Sequence, residues 1–325
     1  MDERGLSMIG RQDASALPET AIPRPRWRWT ASRREAAWGY AFISPWIVGF
    51  VLFTMIPMAL ALWFSLTDFD LRRPDEVRFV GLDNYARMVS DPNVLQSIGV
   101  TLRFAVLTVP ATIALSVGLA VLLNSPRLVG RRGFRTLFYM PTQIPLVAST
   151  LIWAGVLNAE TGWMNGILGF FGIQGPDWLQ DPFWVLPSLG VIGLWGIGAM
   201  MLISLAGLQS IPTELYDAAK VDGAGHWITF RRITLPLLSP VLFYSLLISV
   251  VGVSQYFIQA YVLKNGNPDD STLFYNVNLY REAFAFNQLG YASALAWVLF
   301  LIVLGLALLL FWSSSRWVFY AGERR

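Results

Sequence analysis

A stripe of neutral polar side chains runs through an apolar segment in the second half of the chain. Its members recur every three or four residues, on one face of a predicted helix: Ser245, Ser249, Gly252, Tyr256 and Gln259. Gln255 lies beside this face, and Ser254 lies further around the helix. Hydroxyl and amide groups can exchange hydrogen bonds with a polyhydroxylated solute, and transporters bind solutes near the bilayer midplane. Small and hydroxyl side chains also line ordinary helix–helix contacts in membranes, so the residues alone leave both interpretations open.

A second candidate region is the polar loop of residues 209–236, between two apolar segments. Thr213 can cap a short helix there, with two acidic residues near the positive end of its dipole. Ala218 and Ala219 would give this helix a smooth face that another protein could approach closely. Gly223 can adopt positive φ and end the helix, and a second short helix would follow. The pattern predicts two short helices that together form a docking surface.

Several kinds of chemistry are excluded by what the chain lacks. It has no cysteine and one histidine, His226, which excludes disulfides, thiol catalysis and His-cluster metal sites. Neither Lys220 nor Lys264 ends a glycine-rich phosphate loop, so the chain itself is not expected to hydrolyse nucleotide. No metal or cofactor is expected in it. A membrane-embedded enzyme would need acids, histidines or metal ligands clustered at one membrane face, and the sequence offers no such cluster.

The elements that must position these residues are transmembrane helices. Apolar residues make up 55% of the 325 positions and charged residues 14%, whereas soluble domains carry about 25% charged residues. A helix needs about 20 apolar residues to cross the hydrocarbon core. Six segments are long enough: 40–66, 104–123, 137–157, 185–208, 237–262 and 291–312. We therefore predict an all-α integral membrane protein with six transmembrane helices.

The distribution of charge predicts the orientation. The loop after the second segment holds four arginines and no acid, whereas the stretch between the third and fourth holds three acids and no base. Because cytoplasmic loops carry an excess of Lys and Arg, both termini are predicted to be cytoplasmic. Residues 1–36 are polar, basic and proline-containing, without a signal-peptide cleavage site, and are predicted to be a flexible cytoplasmic tail. Residues 37–325 form the predicted six-helix membrane domain.

The six segments are nearly free of ionisable residues. Proton- and ion-coupled carriers usually need charged relays at membrane depth, which argues against a secondary transporter. A sodium site built from carbonyl groups would need no charged residue in the spans. An ATP-independent carrier or channel therefore stays an open alternative.

Several sequence segments resemble one known family. The longest is Tyr216-Asp217-Ala218-Ala219-Lys220-Val221-Asp222-Gly223-Ala224, followed by Phe230 and Leu235-Pro236. It resembles the Glu-Ala-Ala loop of permeases from binding-protein-dependent ABC importers, with Asp217 where that family usually has glutamate. Further segments are similar to maltose- and glycerol-phosphate-type sugar permeases: Met140-Pro141, Ile144-Pro145, Gly162 with Asn165, and residues 263–268, 280–284 and 290–294. The resemblance extends over residues 40–320.

This resemblance implies a type I ABC importer permease fold and a transport subunit that is not itself an enzyme. The implied function is ATP-driven alternating access that moves a carbohydrate, with an oligosaccharide favoured, into the cytoplasm. The implied partners are a second homologous permease in a heterodimer, two ATPase subunits that bind Mg-ATP, an extracytoplasmic substrate-binding protein and membrane lipid, with no nucleic acid. The implied location is the bacterial cytoplasmic (inner) membrane, crossed several times.

The resemblance also implies roles for individual residues. In that family the Glu-Ala-Ala loop is a coupling helix that sits in a groove on the ATPase, which assigns coupling to Glu214, Asp217, Ala218, Ala219, Asp222, Gly223 and Ala224. The corresponding fifth helix contributes to sugar binding in the maltose-type permease, which favours Ser254, Gln255, Tyr256 and Gln259 for the substrate path. Trp153 and Asn158 are weaker path candidates, which packing would also explain.

The identity of the sugar does not transfer from the family. Its polar residues on the fifth helix are mostly asparagines, which this chain does not repeat. Maltodextrins, other oligosaccharides, glycerol phosphates and uronides such as alginate fragments all stay open. Loops 158–184 and 263–290 correspond to loops that meet the binding protein in that family.

Overall fold

The computed structural model describes residues 31–263 and 271–319, and all regular elements in these ranges are helices. Extended backbone contacts there are limited to two isolated bridges, Thr67–Phe79 and Asp70–Gln288. The helices are α1 (Ala31–Phe50), α2 (Ile56–Ser65), α3 (Asp83–Ser90), α4 (Pro92–Asn124), α5 (Arg131–Tyr139), α6 (Leu146–Val156), α7 (Trp163–Phe170), α8 (Val185–Trp195), α9 (Gly198–Gln209), α10 (Thr213–Val221), α11 (His226–Thr229), α12 (Leu235–Ser254), α13 (Ile258–Leu263), α14 (Tyr275–Tyr280) and α15 (Leu289–Trp317). The predicted all-α class is confirmed. The predicted tail up to residue 30, the family-like segment 264–268 and the C-terminal residues 320–325 lie outside the described ranges.

Four helical stretches are long and apolar enough to cross a bilayer: Glu35–Ser65, Pro92–Asn124, His226–Leu263 and Leu289–Trp317. Two bent pairs qualify if each pair is one span: Arg131–Gln143 with Leu146–Val156, bent by 101°, and Val185–Trp195 with Gly198–Gln209, bent by 57°. The described chain therefore has four to six candidate spans. The third and fourth predicted spans are not the single continuous helices that hydropathy predicted.

Proline and glycine account for these two bends. Ile144 and Pro145 are extended between a 3₁₀ turn and α6, because a residue that precedes proline disfavours the helical region. At Gly198, the first residue of α9, an added Cβ would collide with the backbone carbonyl of Phe138 in α5. The second bend therefore depends on a close approach between two helices, which hydropathy does not register.

The first helical stretch joins α1, a π-helical segment Val51–Met55 and α2. It begins at Ala31, so residues 31–36 are helical although they were predicted to belong to the tail. None of its most apolar 18-residue window is buried. Phe42 and Phe53 are about four-fifths exposed, and an apolar surface of this extent needs lipid or another protein to cover it.

Helix α4 contributes residues to all three apolar clusters that form the packed core. Near its start, Val94 packs in a cluster with residues of α3, α14 and α15. In its middle, Val100 and Phe104 belong to a second cluster with residues of α8, α13 and α14. Near its end, Ala120 and Leu123 pack in a third cluster against α9 and α12. The 33 residues of α4 make it about 50 Å long, so the three clusters lie in order along one helix.

The fifth candidate span is interrupted. Residues 255–257 are non-helical and separate α12 from α13, which corrects the prediction of one continuous helix over 237–262. The N–H groups of Gln255 and Tyr256 donate to the carbonyls of Gly252 and Val253, three residues earlier, so the helix tightens and then ends. Irregular backbone at membrane depth is tolerated only where protein or a water-filled cavity surrounds it.

Candidate functional site

Helix α10 ends in a turn that needs glycine. Gly223 has φ of +72°, in the left-handed region. Its N–H donates to the carbonyl of Lys220 at 3.1 Å, and the N–H of Ala224 donates to the carbonyl of Ala219 at 2.9 Å. These two bonds form a Schellman motif, which satisfies the last carbonyls of the helix. The prediction that Gly223 ends this helix through positive φ is confirmed.

The start of α10 differs from the prediction. Pro212 occupies the cap position without a side-chain capping bond, and Thr213 is already the first helical residue. The prediction that Thr213 caps this helix is therefore wrong. The fixed φ of proline, here −56°, suits the extended cap position and moves the helix start by one residue. Glu214 lies in the first turn, near the positive end of the helix dipole as predicted.

One side of α10 packs against the helix bundle. Tyr216 packs against the apolar cluster at the end of α4, and its hydroxyl lies 3.2 Å from Thr234 Oγ1, directly before α12. Ala219 is buried. The prediction that Ala218 and Ala219 together form the docking face is corrected, because Ala219 faces the bundle and only Ala218 is exposed.

The other side of α10 is open to a partner. Its exposed coupling candidates are Glu214, Asp217, Ala218, Asp222 and Gly223, while Ala224 is half-buried. Asp217 Oδ1 pairs with Lys220 Nζ at 2.8 Å, and both side chains are exposed. Helix α11 follows, with His226 and Trp227 exposed. It continues through the π-helical segment Phe230–Thr234 into α12, so the predicted separate second helix is the start of the fifth candidate span. We call residues 213–229 the α10–α11 hairpin.

The break after α12 divides the predicted polar stripe. Its members have different environments: Ser245 and Gln259 are buried, Ser249 and Ser254 are half-buried, and Gly252 and Gln255 are exposed. The Ser254 hydroxyl donates to the carbonyl of Val250 at 2.8 Å, within its own helix. Helical spacing stops at Gln255, so Tyr256 and Gln259 do not continue the face that Ser245, Ser249 and Gly252 share. Of the four favoured path residues, Gln255 is the exposed one.

Two aromatic path candidates lie inside the chain. The Tyr256 ring packs against Phe104 and Phe274, with ring centroids 4.6 and 4.8 Å away. The Trp153 ring lies edge-on to Trp195 at 5.8 Å. Both Tyr256 and Trp153 pack against the apolar cluster in the middle of α4. Both side chains are half-buried, and they share this cluster as a packing partner.

Asn158 organises a turn at the end of α6. Its side-chain carbonyl accepts from the N–H groups of Glu160 and Thr161 at 3.0 and 2.9 Å. It also accepts from the Thr161 hydroxyl at 3.0 Å. This oxygen is therefore engaged within its own loop, apart from the other path candidates.

Several buried polar atoms have no hydrogen-bond partner among the described residues. They include the Trp153 indole nitrogen, the Tyr256 hydroxyl and the hydroxyl of Ser188 on α8. A buried donor without a partner costs about 1–3 kcal/mol, so water or a bound solute is expected to satisfy these groups. Ser188 is not among the path residues predicted from the sequence. A hydroxyl within the apolar run of α8 was the signal available.

A charged network joins the start of α4 to α3, to the π-helical segment Arg281–Ala285 that follows α14, and to the start of α15. Arg87 Nη2 lies 3.9 Å from Glu282 Oε2, its Nη1 donates to Gln288 Oε1, and its guanidinium lies 4.0 Å from the Tyr291 ring centre. The Tyr291 hydroxyl donates to Asp91 Oδ2 at 2.8 Å. Asp91 Oδ1 accepts from the N–H of Asn93 and so caps α4. Segments 280–284 and 290–294 resemble the sugar-permease family, but nothing in the sequence connects them to Arg87.

Burial shifts the pKa of one carboxyl in this network. Glu282 is 3% exposed, and burial raises the pKa of its carboxyl above the ordinary value, while Arg87 opposes that shift. Glu282 Oε2 and the Asn278 amide nitrogen, on the preceding helix turn, lack hydrogen-bond partners among the described residues. Within the same ranges no group of three His, Asp or Glu side chains is arranged to hold a metal ion.

Comparison with known proteins gives the family. Residues 112–316 match the family of binding-protein-dependent transport system inner membrane components. The chain belongs to this permease family. The matched region contains α6, α8, α9, the α10–α11 hairpin, the interrupted fifth span and nearly all of α15.

Relatives of this permease extend over nearly the whole chain. It is 40% identical over 296 residues to the probable ABC transporter permease protein YesP of Bacillus subtilis, a match that covers 90% of this chain and 94% of that protein. It is 32% identical over 316 residues to the diacetylchitobiose uptake system permease protein NgcF of Streptomyces coelicolor, covering 92% and 89%. The predicted resemblance to sugar permeases of binding-protein-dependent ABC importers is confirmed.

The fold is similar to that of a solved transporter. The crystal structure of a bacterial alginate ABC transporter, in complex with its alginate pentasaccharide-bound periplasmic protein, contains a chain that matches with a TM-score of 0.77. The match covers 88% of this permease and 96% of that chain, at 22% identity. At this identity the comparison concerns the fold, which agrees with the predicted type I ABC importer permease fold.

Proposed function

We propose that this permease imports a carbohydrate, with an oligosaccharide favoured, into the cytoplasm by ATP-driven alternating access. In this proposal the two bent helix pairs are each one span, which gives six spans with both termini cytoplasmic, in the bacterial inner membrane. The observation that carries the proposal is the α10–α11 hairpin: an exposed, glycine-terminated helix that is attached rigidly to the bundle. Mg-ATP is bound by a separate ATPase and not by this chain.

The hairpin is built to transmit a displacement. Its outward side offers Glu214, Asp217, Ala218, Asp222 and Gly223 to an ATPase groove. Its inward side is joined to the end of α9 and the start of α12 through Tyr216, Thr234 and the buried Ala219. A packed interface of this kind moves as a unit rather than deforming. When the ATPase dimer closes, the hairpin moves with it and carries α9 and α12.

The interrupted fifth span supports the proposed substrate path. Transporter sites are often formed where a membrane helix is discontinuous, because freed backbone and side-chain groups there can meet a solute. Gln255 is exposed at this break, and Ser254 and Gln259 lie on either side of it. Tyr256 and Trp153 would reach the solute only if the packing around Phe104 rearranges. These neutral groups suit the hydroxyls of a sugar.

The proposed partners follow from the relatives. NgcF is named for the uptake of diacetylchitobiose, and the alginate transporter was crystallised in complex with a periplasmic protein. By analogy, we propose a second homologous permease in a heterodimer, two ATPase subunits and an extracytoplasmic binding protein for this chain. Loops 158–184 and 263–290 would meet the binding protein, and nucleic acid has no part.

The coupling role is tested by replacing one glycine of the hairpin. Gly223→Val should abolish ATP-coupled uptake, because a β-branched residue at φ of +72° is strained and the Schellman turn is lost. Gly305→Val is the control, since Gly305 lies in α15, outside the hairpin, and an added Cβ there meets nothing within 4 Å. Uptake of radiolabelled oligosaccharide would be measured in proteoliposomes that contain the complete transporter. Normal uptake by Gly223→Val would remove the hairpin from the coupling mechanism.

The rival function is a carrier or channel that works without ATP. It predicts solute movement in liposomes that contain this permease alone, and it assigns no role to the hairpin. Affinity purification in mild detergent separates the two proposals. Recovery of a second permease and a Walker A ATPase supports the importer, whereas an isolated protein that still transports solute supports the carrier.

A further inference from the structure

Helix α7, in the loop between α6 and α8, is fixed to the bundle along one side. Met164 packs against the apolar cluster in the middle of α4. The Asn165 amide nitrogen donates to the carbonyls of Ala159 and Pro176 at 2.9 and 3.1 Å. The Asn165 side-chain oxygen accepts from the Trp178 indole at 2.6 Å. These bonds give α7 a defined orientation.

The other side of α7 is apolar and exposed. Trp163, Ile167 and Phe170 follow helical spacing along one face, with 77%, 59% and 86% of each residue exposed. Phe171 and Ile173 continue this surface beyond the helix end, 70% and 54% exposed. We call these five residues the α7 surface. Contiguous exposed apolar side chains of this kind mark a contact with a membrane or a protein.

The chemistry of the α7 surface favours lipid over a soluble partner. No charged residue occurs between Glu160 and Asp177. Interfaces with soluble proteins have a polar, solvent-accessible rim, which this segment does not provide. A binding protein also departs in every transport cycle, and each large apolar side chain that returns to water costs about 1.5–3 kcal/mol. A membrane stays in contact throughout.

The chain path keeps α7 close to the end of α6. Only residues 157–162 separate the two helices. Within them, Asn158 closes a turn, and Gly162 is packed so tightly that an added Cβ would collide with the carbonyls of Asn158 and Val156. Helix α6 itself exposes Leu151 and Ile152, so an apolar surface precedes α7 along the chain.

We propose that α7 lies in the plane of the membrane surface, with the α7 surface inserted at the headgroup–acyl boundary of the leaflet where α6 ends. Trp and Phe side chains at this depth are characteristic of interfacial helices. The partner is the phospholipid bilayer itself. The inference depends on α6 and α8 being membrane segments of a permease, and it does not depend on the proposed cargo or on ATP coupling.

The absence of cysteine from the chain allows a direct test. Ile167→Cys and Phe170→Cys would each carry a nitroxide spin label, with Glu160→Cys as the exposed control next to the same loop. The full transporter would be placed in nanodiscs of phosphatidylcholine and phosphatidylglycerol. Power-saturation EPR would compare accessibility to oxygen, which partitions into lipid, with accessibility to a water-soluble nickel chelate.

The proposal expects an oxygen-to-nickel accessibility ratio several-fold higher at residues 167 and 170 than at residue 160. Ready access of the nickel chelate to the first two labels would place the α7 surface in water and overturn the proposal. Exclusion of both reagents would show that protein covers it, which also overturns the proposal. A ratio that rises only after binding protein is added would assign the surface to that partner. Phe171→Cys repeats the measurement beyond the helix if a helical variant fails to fold, and uptake assays of each variant report separately on the proposed function.

Discussion

The two ends of α4 satisfy their polar groups in opposite ways. At the start, Arg87, Asp91, Glu282 and Tyr291 bind one another within the chain. Past the end, the α10–α11 hairpin keeps its one ion pair, Asp217–Lys220, on the surface and offers most of its polar groups outward. The first end pairs most of its charged groups within the chain, and the second is proposed to gain its contacts from a partner. Changes at the first end should therefore affect stability, and changes at the second should affect association with the ATPase.

The largest expected effect is a loss of stability caused by a substitution beside the charged network at the start of α4. Gly290, at the start of α15, lies against the chain so closely that an added Cβ would collide with the Thr67 carbonyl and crowd the Phe69 nitrogen. Gly290→Ala should lower stability by about 1–3 kcal/mol, because neither backbone group can move freely. The thermal unfolding midpoint in detergent measures this. Gly305→Ala in the same helix is the control, since its Cβ meets nothing within 4 Å. Equal midpoints for the two variants would contradict the close packing.

An intermediate effect on stability is expected from protonation of the Glu282 carboxyl, in the same charged network. Burial raises the pKa of Glu282, so the folded chain binds that proton more tightly than the unfolded chain does. Wild-type stability should therefore decrease as pH rises from about 4.3, the ordinary glutamate value, through the raised pKa of the folded state. Glu282→Gln removes this decrease and should raise the unfolding midpoint at neutral pH, with a smaller gain in acid.

The control for this prediction is Glu160→Gln, which changes an exposed carboxylate. The measurement is the unfolding midpoint of each variant minus that of the wild type, from pH 4 to pH 8. A Glu282→Gln difference that becomes more negative as pH rises would mean that the Arg87 ion pair outweighs burial.

The smallest expected effect on stability is at the hairpin. Asp217→Asn removes an exposed ion pair, which contributes about 0–1 kcal/mol, so the unfolding midpoint should hardly change. Recovery of the ATPase in co-purification should nevertheless decrease, because the proposed contact loses a carboxylate. Asp75→Asn, another exposed acid, should change neither quantity. A large loss of stability in Asp217→Asn, with unchanged ATPase recovery, would contradict this prediction. It would mean that the hairpin contributes to stability rather than to association with the ATPase.

Composition and local motifs predicted much of this architecture. Apolar length located the four candidate spans that need no second helix, and glycine at position 223 predicted the end of α10. The first bend was missed because hydropathy does not register the break before Pro145, and at the second bend the close approach of Gly198 to Phe138 involves distant backbone. The network at the start of α4 was missed for the same reason, since Arg87 and Gln288 are 201 positions apart.

The candidate site was less predictable than the fold. Helical spacing placed the polar stripe on one face, but that inference required an unbroken helix, and the backbone leaves the helix at Gln255. Ala219 was assigned to the docking face because alanine suits close approach from either side. The direction that it faces is decided by Tyr216 and Thr234, whose contact joins residues 18 positions apart.

The capping carboxylate of Asp91 makes α4 a lever with one fixed end. One oxygen begins the helix and the other accepts from Tyr291 in α15, so the start of α4 has little freedom to shift. A rod about 50 Å long that tilts by about 5° around such a pivot moves its far end by about 4 Å. The far end is where α9, α12 and the hairpin meet. A small rotation is therefore enough to produce a displacement there on the scale of a side chain.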